Sequence, residues 1–210
     1  MTATVSRGAA HWERLYATRE LTQVSWYQAK PTMSLELIAA AGIDPDDPII
    51  DVGGGASTLV DHLLDQGYRR LAVLDISATA LQQAQHRLGE RAKQVAWVQG
   101  DVTEAALPPG RFALWHDRAL FHFLTAADDR KKYVQAATRA LAKDGQVIMA
   151  TFALGGPDSC SGLEVVCYSP AALHDAFGKE FELVERRNDI HMTPSQMQQP
   201  FLYARLRKRV

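Results

Sequence analysis

Three aspartates stand where chemistry is easiest to place. Asp51, Asp75 and Asp101 close or follow the short apolar runs PIIDV (48–52), RLAVLDI (70–76) and QVAWVQGD (94–101). With one residue between, Asp51 is followed by Gly53, Gly54 and Gly55, and Asp75 lies 24 residues after Asp51. Glycines in such a turn let a ligand approach the backbone where a Cβ would collide, and a helix beginning after them favours a carboxylate. A lone aspartate after a strand is an ordinary turn residue. Three of them with a triple glycine are better explained by a ligand.

A second group, His116, Asp117 and His122, falls within WHDRALFHFL. Histidine can deprotonate a thiol or a phenol near neutral pH, and a neighbouring carboxylate could assist. The plainer reading of either histidine, above all His122 in its apolar FHFL setting, is a hydrogen-bonded core residue. A third group joins Asp158, Cys160 and Ser161 to His191, Thr193 and Gln199, polar loop residues that could touch a substrate. Cys160 with His191 supplies two metal ligands without local spacing, so no metal site is expected.

Strands alternating with helices must hold these residues. Helical periodicity follows the glycines (apolar at 59, 60, 63 and 64) and recurs in SATALQQAQHRLGER, where Ser77 can cap the helix. RFALWHD (111–117) reads as a fourth strand and GQVIMATF (145–152) as a fifth. Between them DDRKKYVQAATRALAKDG reads as a helix, with Leu141 near its end and Gly145 as its stop. After the loop GGPDSCSG come a helix near SPAALHDAF and two strands, FELVERR and QPFLYARLRK, too close in sequence for a crossover helix. The expected fold is α/β: a doubly wound, Rossmann-like sheet of seven strands, mostly parallel, with an antiparallel C-terminal strand. Helical patterns near 9–18 and 31–42 precede the first strand and suggest a cap.

The chain of 210 residues is sized for one domain, and 23 Lys+Arg against 24 Asp+Glu leave a net charge of −1. That balance argues against a polycationic nucleic-acid binder, and the terminal RLRKR reads as a solvated edge. No apolar run is long enough for a membrane span, and residues 1–20 lack the apolar segment of a secretory signal. With two cysteines only, Cys160 and Cys167, a reducing, cytoplasmic setting is expected. Trp97, inside the third strand, reads as core. No feature speaks to oligomeric state.

The ligand can be narrowed by elimination. Counting from Gly53, a dinucleotide fingerprint finds Gly55 but meets Thr58 where its third glycine belongs, and no G-K-[ST] of a P-loop occurs. S-adenosylmethionine has a ribose, an adenine, a carboxylate and cationic centres but no phosphate. Asp51 would suit its ammonium and sulfonium, Asp75 its ribose hydroxyls, and Asp101 its adenine amino group.

IIDVGGGASTL, LAVLDIS, VQGDVT and RFALWHDRALFHFL resemble, in order, motifs I to IV of the class I S-adenosylmethionine-dependent methyltransferases, over about residues 45–155. Trp12, Tyr16 and Ser25-Trp26-Tyr27 make the chain similar to the branch holding the elongation-factor and citrate-synthase lysine methyltransferases and their bacterial relatives. The resemblance implies that Gly53 and its neighbours bind the methionine part, Asp75 and Ile76 the ribose, and Asp101 and Val102 the adenine. Trp12, Tyr16 and Trp26 would close over the donor, and Arg118 would join its binding residues, with S-adenosylhomocysteine as product. The lysine-specific members carry a D/E-K-G-T-L-D-like segment after the fourth strand. Here Asp117-Arg118-Ala119-Leu120-Phe121-His122 stands instead, with His122 in place of an acid, which weakens the implication of a lysine acceptor. The expected organisation is one domain over 1–210: a cap (1–45), a donor-binding core (46–155) and an acceptor-side loop, helix and edge strands (156–210). The expected acceptor is a small thiol, hydroxyl or metalloid. A protein lysine is the alternative, and a donor-binding module without catalysis a third reading. Neither nucleic acid nor membrane is expected as a partner.

Overall fold

A computed structural model describes residues 3–209, with side chains from Gly8 onward. The single-domain expectation over 1–210 thus includes Met1, Thr2 and Val210, which lie outside the described residues. In chain order the elements are α1 (Ala3–Thr18), α2 (Thr32–Ala40), β1 (Ile49–Val52), α3 (Leu59–Asp65), β2 (Leu71–Asp75), α4 (Ala78–Leu88), β3 (Val95–Gln99) and β4 (Phe112–Arg118). Then follow α5 (Ala127–Ala140), β5 (Leu141–Phe152), a short hairpin of β6 (Ser159–Cys160) and β7 (Leu163–Glu164), α6 (Pro170–Phe177), β8 (Phe181–Met192) and β9 (Gln198–Lys208).

The main sheet has seven strands in the order β3-β2-β1-β4-β5-β9-β8. The first five are parallel, and β9 runs antiparallel to both β5 and β8. This is the expected α/β architecture. Successive residues feed opposite faces, as strand geometry requires. Ile50, Trp115 and Val147 pack with Tyr133 of α5 and Phe177 of α6, while Ile49, Leu114 and Ile148 pack with Leu37 of α2 and Leu63 of α3. Both faces are covered, which is why the central strands read as unbroken apolar runs. Ser77 and Ser169 start α4 and α6 by accepting the amides of Ala80 and Ala172.

Three boundaries differ from the sequence reading. The helix α5 stops at Ala140, and Leu141 opens β5, its side chain buried and its residue paired with Phe112. Burial and strand pairing outweigh the helical pattern that ran on to Gly145. The glycine-rich loop holds the β6–β7 hairpin. Strands β8 and β9 extend past FELVERR and QPFLYARLRK, pairing as far as Met192 and Gln198.

Candidate active site

The carboxyl ends of β1, β2 and β4 converge beneath α1, the place where open α/β sheets bind ligands. Just after β1 the chain turns at Gly53 (φ 68°) and Gly55 (φ 47°). A side chain at any of the three glycines would crowd a protein neighbour. A Cβ on Gly53 would lie 2.6 Å from Leu120 Cδ1, and one on Gly54 would lie 2.5 Å from Asp51 Oδ2. A Cβ on Gly55 would lie 2.8 Å from the Tyr16 hydroxyl, under the cap.

A cavity of about 250 Å³ opens beside this turn, near the lower end of ligand clefts, roughly 300–1,000 Å³. Its floor and one end are Gly53, Asp75, Ile76, Asp101 and Val102. Asp75 is buried and accepts the Ser77 amide at 2.8 Å. Burial pushes its carboxyl up to about 7; the Asp51 charge adds to the rise, and the Ser77 and Gly55 amides oppose it. Asp101 accepts both the amide and the hydroxyl of Thr103 at 2.8 and 2.7 Å.

Over the cavity sits an aromatic cluster. Trp12 meets Trp26 edge-on at 5.8 Å and Phe123 at 5.1 Å, and Tyr16 meets Trp26 at 6.1 Å. A latch holds this cap. The Glu13 carboxylate accepts the amides of Ala78 and Thr79 at the start of α4. Burial opposes its charge, yet the bonds from Thr79, Ala78 and Ser77 hold the carboxyl below its ordinary value. The far end is apolar and aromatic, with Phe152 and Phe201 in the wall, joined by Cys160 and Gln199.

Two of the three expected proton acceptors are spent elsewhere. His116 is buried, with Nδ1 2.7 Å from Asp51 Oδ1 and Nε2 2.9 Å from the Ser34 hydroxyl, so both nitrogens are engaged. Asp51 and His116 border a smaller hollow of about 50 Å³ with Gly54 and do not line the main cavity. One oxygen of Asp51 thus faces His116, where the sequence suggested a carboxylate open to a cationic ligand. Asp117 accepts the Tyr133 hydroxyl at 2.6 Å and the Leu120 amide at 2.9 Å, and it lies outside the cavity wall. Its carboxyl is pushed up to about 6 by burial, against the pull of Tyr133. It holds the turn after β4 together.

His122 does line the cavity, as does Arg118. His122 stacks on Phe152 at 4.5 Å, and its Nδ1 accepts the Phe152 amide at 3.4 Å. Arg118 donates to the Tyr203 hydroxyl (3.1 Å) and the Trp26 carbonyl (2.9 Å), with its guanidinium 4.8 Å from the Phe201 ring centre. The neighbouring Ala119 has φ 72°, a left-handed backbone that costs a non-glycine residue of order 1 kcal/mol and recurs at binding sites. Of the third group, only Cys160 and Gln199 reach the cavity. His191 turns to the Ser25 carbonyl at 2.7 Å and Thr193 to the Ser195 hydroxyl at 3.0 Å, while Asp158 and Ser161 stand outside the wall. Among the described residues no three His, Cys, Asp or Glu cluster as metal ligands.

Glu13, Ser34, Phe123, Phe152 and Phe201 were not singled out from sequence. Phe152 ends a strand at the ligand-facing rim, a position that could have marked it. Glu13 and Ser34 meet partners 65 and 82 residues away, and no local pattern announces that.

A family profile described as a methyltransferase domain matches residues 49–145. Over 159 residues the chain is 31% identical to the eEF1A lysine and N-terminal methyltransferase of Danio rerio, covering 76% of this chain and 22% of the relative. The Homo sapiens protein of the same name is 27% identical over 155 residues, 73% of this chain and 21% of the relative. The chain thus spans about a fifth of the length of these curated relatives. In fold it is similar to an S-adenosylmethionine-dependent methyltransferase of Anabaena variabilis (TM-score 0.75, 17% identity, 96% of this chain and 95% of that one). It is also similar to the Burkholderia thailandensis 1,6-didemethyltoxoflavin-N1-methyltransferase solved with S-adenosylhomocysteine (TM-score 0.70, 18% identity, 100% and 92%). With the motif order, the 3-2-1-4-5-9-8 sheet and the glycine turn at its centre, these matches identify the chain as a member of the class I S-adenosylmethionine-dependent methyltransferases.

Proposed function

We propose that the enzyme methylates a small acceptor at a heteroatom, and that the residues of the glycine turn and the two neighbouring strand ends hold its donor. In this reading Gly53 to Gly55 admit the methionine part, and Asp75 with Ile76 takes the ribose hydroxyls. Asp101 and Val102 border the adenine, and Arg118 stands where the methionine end meets the acceptor. Trp12, Tyr16 and Trp26 cover the sulfonium, a cation that aromatic faces attract. The fit rests on Asp75, a buried carboxylate that borders the cavity with no cationic partner among the described residues, and on an apolar chamber beyond it. S-adenosylmethionine supplies the activated methyl. The chain aligns the two reactants and keeps water out, and such alignment can contribute about 7–11 kcal/mol. Residues 1–45 act as cap, 46–155 as donor-binding core and 156–210 as the acceptor side of one domain.

The observation that carries the acceptor class is the far end of the cavity. Phe152, Phe201, Phe123 and Leu163 close it beneath the latched cap, which suits a compact organic molecule. The two thiols, Cys160 and Cys167, are free, and we place the enzyme in the reducing cytoplasm. Incubating the protein with S-adenosylmethionine and a panel of small thiols, phenols and hydroxy-heteroaromatics should release S-adenosylhomocysteine. A panel without turnover, under conditions where the donor binds, would defeat this reading. The similarity to the eEF1A lysine and N-terminal methyltransferase of Danio rerio favours a second reading, a protein lysine or N-terminus as acceptor. Labelled donor incubated with cell lysate separates them: a discrete labelled protein band supports the second, and label confined to small organics supports the first.

A further inference from the structure

Among the described residues, the acceptor end of the cavity holds donors and no free base. Among the described residues, the titratable groups lining the cavity are Tyr16, Asp75, Asp101, Arg118, His122 and Cys160. Asp75 and Asp101 stand at the strand ends given to ribose and adenine, leaving Arg118, His122 and Cys160 near Phe152 and Phe201. His191 packs behind Phe201 at 6.1 Å and is bound to the Ser25 carbonyl. His122 is fully buried. Its Nδ1 accepts a backbone N–H, so in the neutral ring the proton sits on Nε2, and Nε2 has no partner. Burial first, and the Arg118 charge second, push this imidazole down to about 3, so it stays neutral through the ordinary pH range. Arg118 carries a second buried donor without a partner, Nη2, and no carboxylate among the described residues pairs with it. Both residues pack on Phe201, Arg118 at 4.8 Å and His122 at 6.5 Å.

We propose, resting on the small-acceptor reading, that His122 Nε2–H and the Arg118 guanidinium select an aromatic acceptor that enters already ionised, as a phenolate or aryl thiolate. A lysine ammonium would meet a positive charge there and nothing to take its proton. The ionised acceptor leaves its proton in solvent, and its anionic oxygen or sulfur then attacks the methyl carbon. The C–S bond of the sulfonium breaks with its electron pair passing to sulfur, which gives the methyl ether or thioether and neutral S-adenosylhomocysteine. No proton moves inside the site. His122 is in this account a hydrogen-bond donor to the bound anion, in place of the base expected at this position.

The test uses the full chain saturated with S-adenosylhomocysteine and a coloured acceptor analogue, 4-nitrophenol, whose phenolate absorbs at longer wavelength than the phenol. Bound nitrophenol should show the phenolate band at pH values where the free molecule is still mostly protonated. His122→Phe keeps the ring on Phe152 and removes the donor. It should weaken nitrophenolate binding about tenfold to a hundredfold, the worth of one hydrogen bond to a charged group, while S-adenosylhomocysteine affinity holds. His122→Asn, which can accept the Phe152 amide and still donate, should restore most of it. Bound nitrophenol that stays protonated, or no binding to the donor-product complex, overturns the proposal. Turnover of un-ionised thiols or alcohols in that case leaves the small-acceptor reading standing, whereas label found only in protein defeats both.

Discussion

Replacing Asp75 by asparagine separates what the fold wants from what the donor wants. The carboxyl is 6% exposed and is pushed by burial from an ordinary value near 3.8 up to about 7. A raised acid is protonated in the folded chain while the unfolded chain has already lost its proton. Wild-type stability is therefore full below about pH 4, falls as pH rises, and levels off above about pH 7. At about 1.4 kcal/mol for each pH unit, the gap between the two values is worth roughly 4 kcal/mol of lost stability at pH 8. Asparagine has nothing to titrate, so ligand-free Asp75→Asn should gain on the wild type between pH 4 and 7, reaching a few kcal/mol. Donor binding should go the other way. Ribose hydroxyls donate best to a carboxylate, so S-adenosylhomocysteine should bind the wild type about tenfold more weakly at pH 6 than at pH 8, with uptake of the ligand releasing a proton. The variant should bind weakly at both pH values. Urea titrations from pH 4 to 9 and calorimetry in buffers of different ionisation enthalpy measure both sides. A stability difference flat with pH, or nucleoside affinity untouched in the variant, would refute the reasoning.

Three further outcomes follow from the same geometry. Glu13→Gln weakens the latch between α1 and α4. It should cost about 1 kcal/mol of stability and speed S-adenosylhomocysteine dissociation in stopped-flow Trp fluorescence; an unchanged rate would mean the cap does not gate the donor. His116→Ala leaves the buried Asp51 and Ser34 without their common partner. A loss of about 3 kcal/mol is expected, read as a melting temperature lowered by roughly 6–12 °C for a chain of this size. Gly54→Ala would set a Cβ 2.5 Å from Asp51 Oδ2 and 2.9 Å from Val73 Cγ1. Donor affinity and melting temperature should fall together, and a fall in affinity alone would show that the glycine serves the ligand and not its protein neighbours.

The periodicity of the sequence was enough to give the alternation of strands and helices and a mostly parallel sheet, because buried parallel strands and amphipathic helices announce themselves over four or more residues. Part of the candidate site was equally legible: Gly53, Asp75, Ile76, Asp101 and Val102 lie within a turn of strands already recognised, and all line one cavity. The second histidine group was not. His116 and Asp117 are one residue apart on β4, so their side chains leave opposite faces of the sheet, His116 toward Asp51 and Ser34 and Asp117 toward Tyr133. Sequence proximity placed them together; the pleat of the strand separates them. The cap latch depends on Glu13 crossing to α4, a contact 65 residues long that no spacing rule could supply.

The position of β9 bears on how the protein is made. This strand is the last of the described strands yet lies inside the sheet, hydrogen-bonded to β5 on one side and β8 on the other. While the chain is being synthesised, β8 leaves the ribosome before the strand it needs, and β5 waits with an open edge. The pairings that join them are also distant in sequence, the slow kind to form. An exposed pair of edges at that stage is the moment at which a nascent chain is most prone to aggregate or to need a chaperone. Gln199 and Phe201, in the wall of the main cavity, belong to this late strand. The cavity wall is therefore finished by the same event that closes the sheet.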